Sequence, residues 1–87
     1  MAKSAIMASE NKIKISTYTA SSSGVSTIIY GLDYSSTTDE LIIEYNGIRL
    51  YENQNYSINA SNKSILLTDW TLNSGDIINF TLYKNVK

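Results

Sequence analysis

The sequence predicts an all-β fold, a small antiparallel β-sandwich, immunoglobulin-like, of about seven short strands. Three observations predict it. Residues alternate with period two in Ile13–Thr19 and from Ile77 to Lys84, the repeat of a half-buried strand. About seven short strands recur at roughly 8–12-residue spacing, parted by turn residues such as Ser21–Gly24, Asn46-Gly47, Asn53–Asn55 and Asn73–Gly75. The run Leu41–Tyr45 is apolar on both faces, and one sheet alone cannot bury both, so a second layer is required.

Residues 1–11 read as a flexible or weakly helical lead to a single sandwich domain over residues 12–87. Ala2, Ala5 and Ala8 favour a helix, but the segment falls short of the ~12–15 residues at which even good formers are marginal. The alternative is the tail of an upstream helical shaft. In Ile13–Thr19 the β-branched row Ile13, Ile15, Thr17 and Thr19 is expected inside. Lys12 and Lys14 are expected outside, where charge would suit an edge strand. The second strand runs from Val25 to Tyr30, with Val25, Thr27 and Ile29 as its inner row. After a polar stretch, Leu41–Tyr45 forms a central strand with Leu41, Ile43 and Tyr45 on one face.

Asn46-Gly47 is the strongest turn signal, because a type I′ hairpin needs positive φ at both central residues and Asn and Gly tolerate it. Ile48–Tyr51 returns across the hairpin, Glu52–Asn55 turns the chain, and Tyr56–Asn59 starts the next strand. Tyr56 is assigned to the core, its hydroxyl anchored to backbone in the manner of a tyrosine corner. Ala60–Lys63 is a turn with Asn62 left-handed, followed by a strand over Ser64–Thr68. Gly75 fits the left-handed position of a bulged three-residue hairpin loop, and Asp76 can accept from the turn's N–H groups. The last strand puts Ile78, Phe80 and Leu82 inside and Asn79, Thr81 and Tyr83 outside.

Composition excludes more functions than it suggests. With a net charge of −1, seven scattered Lys and Arg cannot neutralise a phosphate backbone, so no nucleic-acid partner is expected. The absence of His and Cys removes the commonest general base, the commonest zinc ligand and any disulfide. Four scattered Gly make no phosphate loop, and no apolar run approaches the ~18 residues of a membrane span. Met1–Glu10 is too short and interrupted for a secretory signal. The Asn-x-Ser/Thr triplets at Asn55, Asn59, Asn62 and Asn79 are what chance gives in a chain rich in Asn and Ser.

Of the carboxylates, Glu10, Asp33, Asp39, Glu40, Glu44, Glu52, Asp69 and Asp76, no two are spaced as a glycosidase pair demands, and they read as solvated loop charge. Asp39-Glu40 falls short of a calcium loop, and Ser21–Ser23 have no base to activate them. No catalytic residue, cofactor or metal is therefore expected. A chain this small, without disulfides and near zero net charge, gains from association with a partner.

The order Tyr45-Asn46-Gly47, Leu50, Tyr56, Ile58, Ile65, Leu67, Leu72, Gly75, Asp76 and Ile78 resembles a β-sandwich module recurrent in bacteriophage tail-fibre, baseplate and neck-appendage proteins. Tyr18-Thr19-Ala20 followed by Thr27-Ile28-Ile29 is similar to the module's opening, so the resemblance spans about Ile13 to Lys84. Two positions depart from the family pattern. Its Gly and Asp in the second turn are Asn53 and Asn55 here; Asn can take the left-handed conformation, and its amide can mimic part of the carboxylate's turn bonding. The resemblance implies a non-enzymatic module.

Together with the missing catalytic groups, it leads to the expectation of a structural or assembly module located in a phage virion and made in the host cytoplasm. Its partners would be other virion proteins or copies of itself, as a homo-oligomer that is a trimer if the particle part is a fibre. Seven Tyr and one Trp keep a second expectation open, a module that binds host cell-wall glycan. Trp70, Tyr51 and Tyr83 are the candidate glycan or partner contacts. A capsid-attached head fibre or decoration domain is the third. Asn46, Gly47, Asn53, Tyr56, Gly75 and Asp76 are read as turn and core residues that determine the fold.

Overall fold

A computed structural model describes residues 12–87. The lead expected over residues 1–11 lies outside the described residues. Seven strands follow in order: β1 (Ile13–Thr19), β2 (Thr27–Ile29), β3 (Glu40–Tyr45), β4 (Ile48–Leu50), β5 (Tyr56–Asn59), β6 (Ser64–Leu67) and β7 (Ile77–Tyr83). They form two antiparallel sheets, β1-β7-β3-β4 and β2-β6-β5, with no helix among the described residues. The predicted sandwich is the one found.

The order β7-β3-β4 matches strands F, C and C′ of an immunoglobulin sandwich, and β2-β6-β5 matches B, E and D. β1 departs from that plan. Instead of pairing beside β2 it lies along β7, in the place the last strand G would take.

The core lies between the sheets. Ile78, Phe80 and Leu82 of β7 and Ile43 of β3 face Ile65 of β6 and Ile28 of β2, all 0–1 % exposed. Full burial of each such side chain contributes about 1.5–3 kcal/mol. Tyr30 packs on Phe80 with ring centroids 5.7 Å apart. The inner rows of β3 and β7 are as expected: Leu41 and Ile43 are buried, Tyr45 packs against the core, and Asn79, Thr81 and Tyr83 lie outside.

Two inner rows are the reverse of those expected. β1 pairs Lys14 with Leu82, Ser16 with Phe80 and Tyr18 with Ile78. Because β7's even-numbered row is wholly buried, the register forces β1's even-numbered residues onto the inner face. Tyr18 and Ala20 supply the burial there, and Ile13 and Ile15 are left outside, 51 % and 71 % exposed. Lys14 thus lies on the inner side but at the open margin of the sandwich, where it remains exposed.

In β2 the buried residue is Ile28, opposite Ile65, with Tyr30 buried just beyond; Thr27 and Ile29 face out. The strand is also shorter than expected. Val25 makes only an isolated bridge to Leu72, and beyond Ile29 the register continues through the Tyr30 N–H to the Lys63 carbonyl.

Turn chemistry is mostly as read. Asn46 and Gly47 both have positive φ (47° and 88°), as do Asn53 (67°) and Gly75 (93°). In the turn after β5, however, Lys63 and not Asn62 is left-handed (φ 51°). The Asn59 side chain accepts from Asn62 N–H and the Ser61 hydroxyl, and the Lys63 carbonyl accepts from both Tyr30 and Gly31. Gly75 does not close a hairpin, because β6 and β7 belong to different sheets. Its turn carries the chain between them and donates the Gly75 N–H to the Ala20 carbonyl.

Candidate functional site

Two groups of polar side chains fasten the sandwich, and one outward face is left open. The first group joins the Asn46-Gly47 turn to the start of β7. Asn46 N–H donates to the Ile77 carbonyl (2.9 Å), and its side-chain oxygen accepts the Ile77 N–H (2.8 Å). Asp76 accepts from Asn73 N–H (2.8 Å), the Tyr45 hydroxyl (3.1 Å) and the Asn46 amide (3.3 Å). The Asn73 N–H, followed by the Asn46 and Tyr45 bonds, holds the Asp76 carboxyl below the usual carboxylate range against the cost of its desolvation. Donation to Asp76 correspondingly pushes the Tyr45 phenol up, and burial adds to it. Tyr45-Asn46-Gly47 and Gly75-Asp76 are thus two halves of one contact.

The second group centres on Asp39, which is 0 % exposed and not the solvated charge expected. Its carboxylate accepts from Lys84 Nζ (2.8 Å), Asn85 N–H (2.9 Å), Ser35 N–H (2.9 Å) and the Thr38 hydroxyl (2.9 Å). The Lys84 bond is the largest reason its pKa lies far below the usual range, and the Asn85 N–H is the next. Lys84 also reaches the Asp33 carbonyl (2.7 Å), and Val86 N–H donates to the Thr38 carbonyl. The segment after β7 is therefore held to the segment before β3. The signal was present as Ser35…Thr38-Asp39, a cluster whose side chains bond nearby backbone, but nothing local marks Lys84 as the partner.

The sequence-predicted contact residues do not form one site. Trp70 is half-buried: its Nε1–H donates to the Asn55 carbonyl (3.0 Å), and its ring meets Tyr45 edge-on at 4.9 Å. It closes the sandwich beside the first group. Tyr51 and Tyr83 share the outer face of the four-stranded sheet, on rows one apart. The cross-strand rows there run Ile15–Thr81–Ile42 and Ile13–Tyr83–Glu40. Tyr51, 52 % exposed, follows β4 on the same side as Arg49, whose guanidinium carbon sits 5.2 Å from its ring centroid. Arg49 also approaches Glu40 at 3.9 Å. The other end of the face is polar, with a Thr17 to Asn79 hydrogen bond of 2.9 Å.

Among the fold-determining residues, Asn53 and Asn55 behave as their departure from the resembled pattern requires. Asn53 is left-handed, and the Asn55 side chain accepts the Tyr51 N–H (2.8 Å). Tyr56 is buried, which pushes its phenol up to about 12, but its hydroxyl makes no hydrogen bond to backbone among the described residues. The backbone does the anchoring instead: the Tyr56 carbonyl accepts the Asn53 N–H at 2.7 Å.

A cavity of about 350 Å³ opens between the sheets beside Lys14, Gly31, Leu32, Asp33, Lys63, Leu82 and Lys84. Lys63 pairs with Asp33 at 2.6 Å and Lys84 with Asp39, so two of its three cations are already neutralised. Among the described residues no three metal-ligating side chains cluster, and no helix is long and apolar enough to cross a membrane. No protein-family model, curated protein or solved structure matches the chain.

Proposed function

We propose that this sandwich is a non-enzymatic structural module of a phage virion, belonging to a tail fibre, baseplate or neck appendage and working through protein–protein contacts. The observation that carries the reading is the interlocking of Tyr45-Asn46-Gly47 with Gly75-Asp76-Ile77. The residues that resemble the phage module hold one another, so the motif marks a shared way of closing a sandwich. The carboxylates support it too, because buried Asp39 and half-exposed Asp76 spend their lone pairs on their own chain. Mass spectrometry of gradient-purified particles from the phage or prophage that encodes the chain tests the reading. Peptides of this chain at the copy number of a structural protein are expected; intact particles that lack it contradict the proposal.

A second reading rests on Tyr51, an exposed ring with the Arg49 guanidinium over one side and Glu40 within reach of Arg49, so that an aromatic surface has a donor beside it. That combination suits a cell-wall sugar. Pull-down on host cell wall that is lost in Tyr51→Ala supports it, and the absence of binding removes it.

A further inference from the structure

Among the described residues, β1 is the long unpaired edge of the four-stranded sheet. The other sheet edges, β4, β2 and β5, are three, three and four residues long, against seven for β1. Its backbone parity is fixed at both ends: Lys84 N–H donates to the Lys12 carbonyl, and Ala20 N–H to the Asp76 carbonyl. Even-numbered residues therefore turn their N–H and C=O groups toward β7. Those of Ile13, Ile15, Thr17 and Thr19 point away from it. These residues are also the exposed row of the strand. No Pro or bulge interrupts this edge, and its charges, Lys12 and Lys14, sit at one end, leaving Ile15–Thr19 without one.

We propose that β1 is a self-association edge, at which two copies of the chain pair β1 with β1 antiparallel about a two-fold axis through Ser16. The inference rests on the assembly reading above and names a second copy as the partner. Centring on Ser16 pairs the strand along its whole length and matches every outward N–H with a carbonyl, Ile13 against Thr19 and Ile15 against Thr17. It sets Lys14 of one copy against Tyr18 of the other, a cation facing an aromatic ring. Ile15, the most exposed large apolar residue among those described, becomes the diagonal neighbour of its own copy on the outer face. Moving the axis off Ser16 shortens the pairing, and moving it to Lys14 also opposes two lysines, so length and charge together favour the Ser16 register. The net charge of −1 leaves little repulsion between copies.

The chain has no cysteine, so one can be placed at the axis. Residue 16 would oppose its copy at a non-hydrogen-bonded pair, with Cα atoms about 4.5 Å apart, inside the range a disulfide bridges. Under mild oxidation, Ser16→Cys is expected to form covalent dimer at least about tenfold faster than Thr17→Cys or the loop variant Ser22→Cys, reflecting the higher effective concentration of a paired thiol. Adding Ile15→Pro, at an N–H that β7 does not use, should return the rate to the control value with the far-ultraviolet spectrum unchanged. Ile15→Lys, which removes no hydrogen bond, should act in the same direction. Equal rates at the three positions, or a rate that neither Ile15 variant lowers, overturns the proposal. If light scattering shows oligomers while Ser16→Cys has no advantage, the edge is wrong and assembly stands. Absence from the particle defeats the virion reading whatever the cross-linking shows.

Discussion

The Asp39 and Asp76 clusters do similar work with different security. Each uses one carboxylate to gather backbone N–H and side-chain donors, some of them from a segment about 30 residues or more away in sequence. Asp76 is half-exposed and its partners are neutral, so water can take over much of what it loses. Asp39 is wholly buried against an ammonium, and nothing can replace its partners. Removing one member of a buried pair costs more than the pair itself contributes, because the remaining charge is stranded. Asp39 is accordingly the position where the fold is most easily broken.

The largest expected effect is that of Asp39→Ala. It should lower Tm by at least about 12 °C, since it leaves Lys84 half-buried and orphans the Ser35 and Asn85 N–H groups. A fall no larger than that of Asp76→Ala would erase the distinction between the clusters. Next is acid. Both carboxyls are held below their unfolded values, so their contribution is complete above the ordinary carboxylate range. It should be lost progressively as pH falls below about 4, and the loss should be smaller in Asp39→Asn, followed by denaturant midpoint against pH. At the other extreme, the buried Tyr56 phenol is pushed up to about 12, so its contribution is present below pH 10 and lost as pH rises through 10–12.

Smaller again is Asn46→Ala, expected to cost about 2 kcal/mol through its side-chain bonds to Ile77 and Asp76 and its left-handed backbone. Asn46→Gly separates these parts. It relieves the backbone strain and should recover about half of the loss.

The two turns of the first cluster could be read from the sequence because their chemistry is local, but the bonds between them could not. Asn-Gly and Gly-Asp each specify a turn by themselves, and the turns then meet through the β3–β7 pairing. Asp39 could not, because its partner Lys84 is 45 residues away and looks like any surface lysine. The strands failed in a related way. Where one row carried the apolar residues, as in β7, its inner side was legible. In β1 and β2 both rows were plausible, and the register with β7 or β6 made the choice. Trp70 shows that an aromatic count does not locate a surface: its indole N–H and ring edge contact are used within the chain. The outer face was found through Tyr51 and Tyr83, but the exposed Ile13 and Ile15 beside them appear only once the register is known.

The central claim is that this fold is fastened within itself at Asp39 and Asp76 and left open at β1 for a second copy. Amide hydrogen exchange measured residue by residue over a wide range of protein concentration tests it directly. Lys14, Ser16 and Tyr18 should be protected at every concentration, because β7 accepts their N–H groups. Ile13, Ile15, Thr17 and Thr19 should exchange fast when dilute and slow together as concentration rises. Odd-numbered amides that exchange fast and unchanged across the whole range would contradict it.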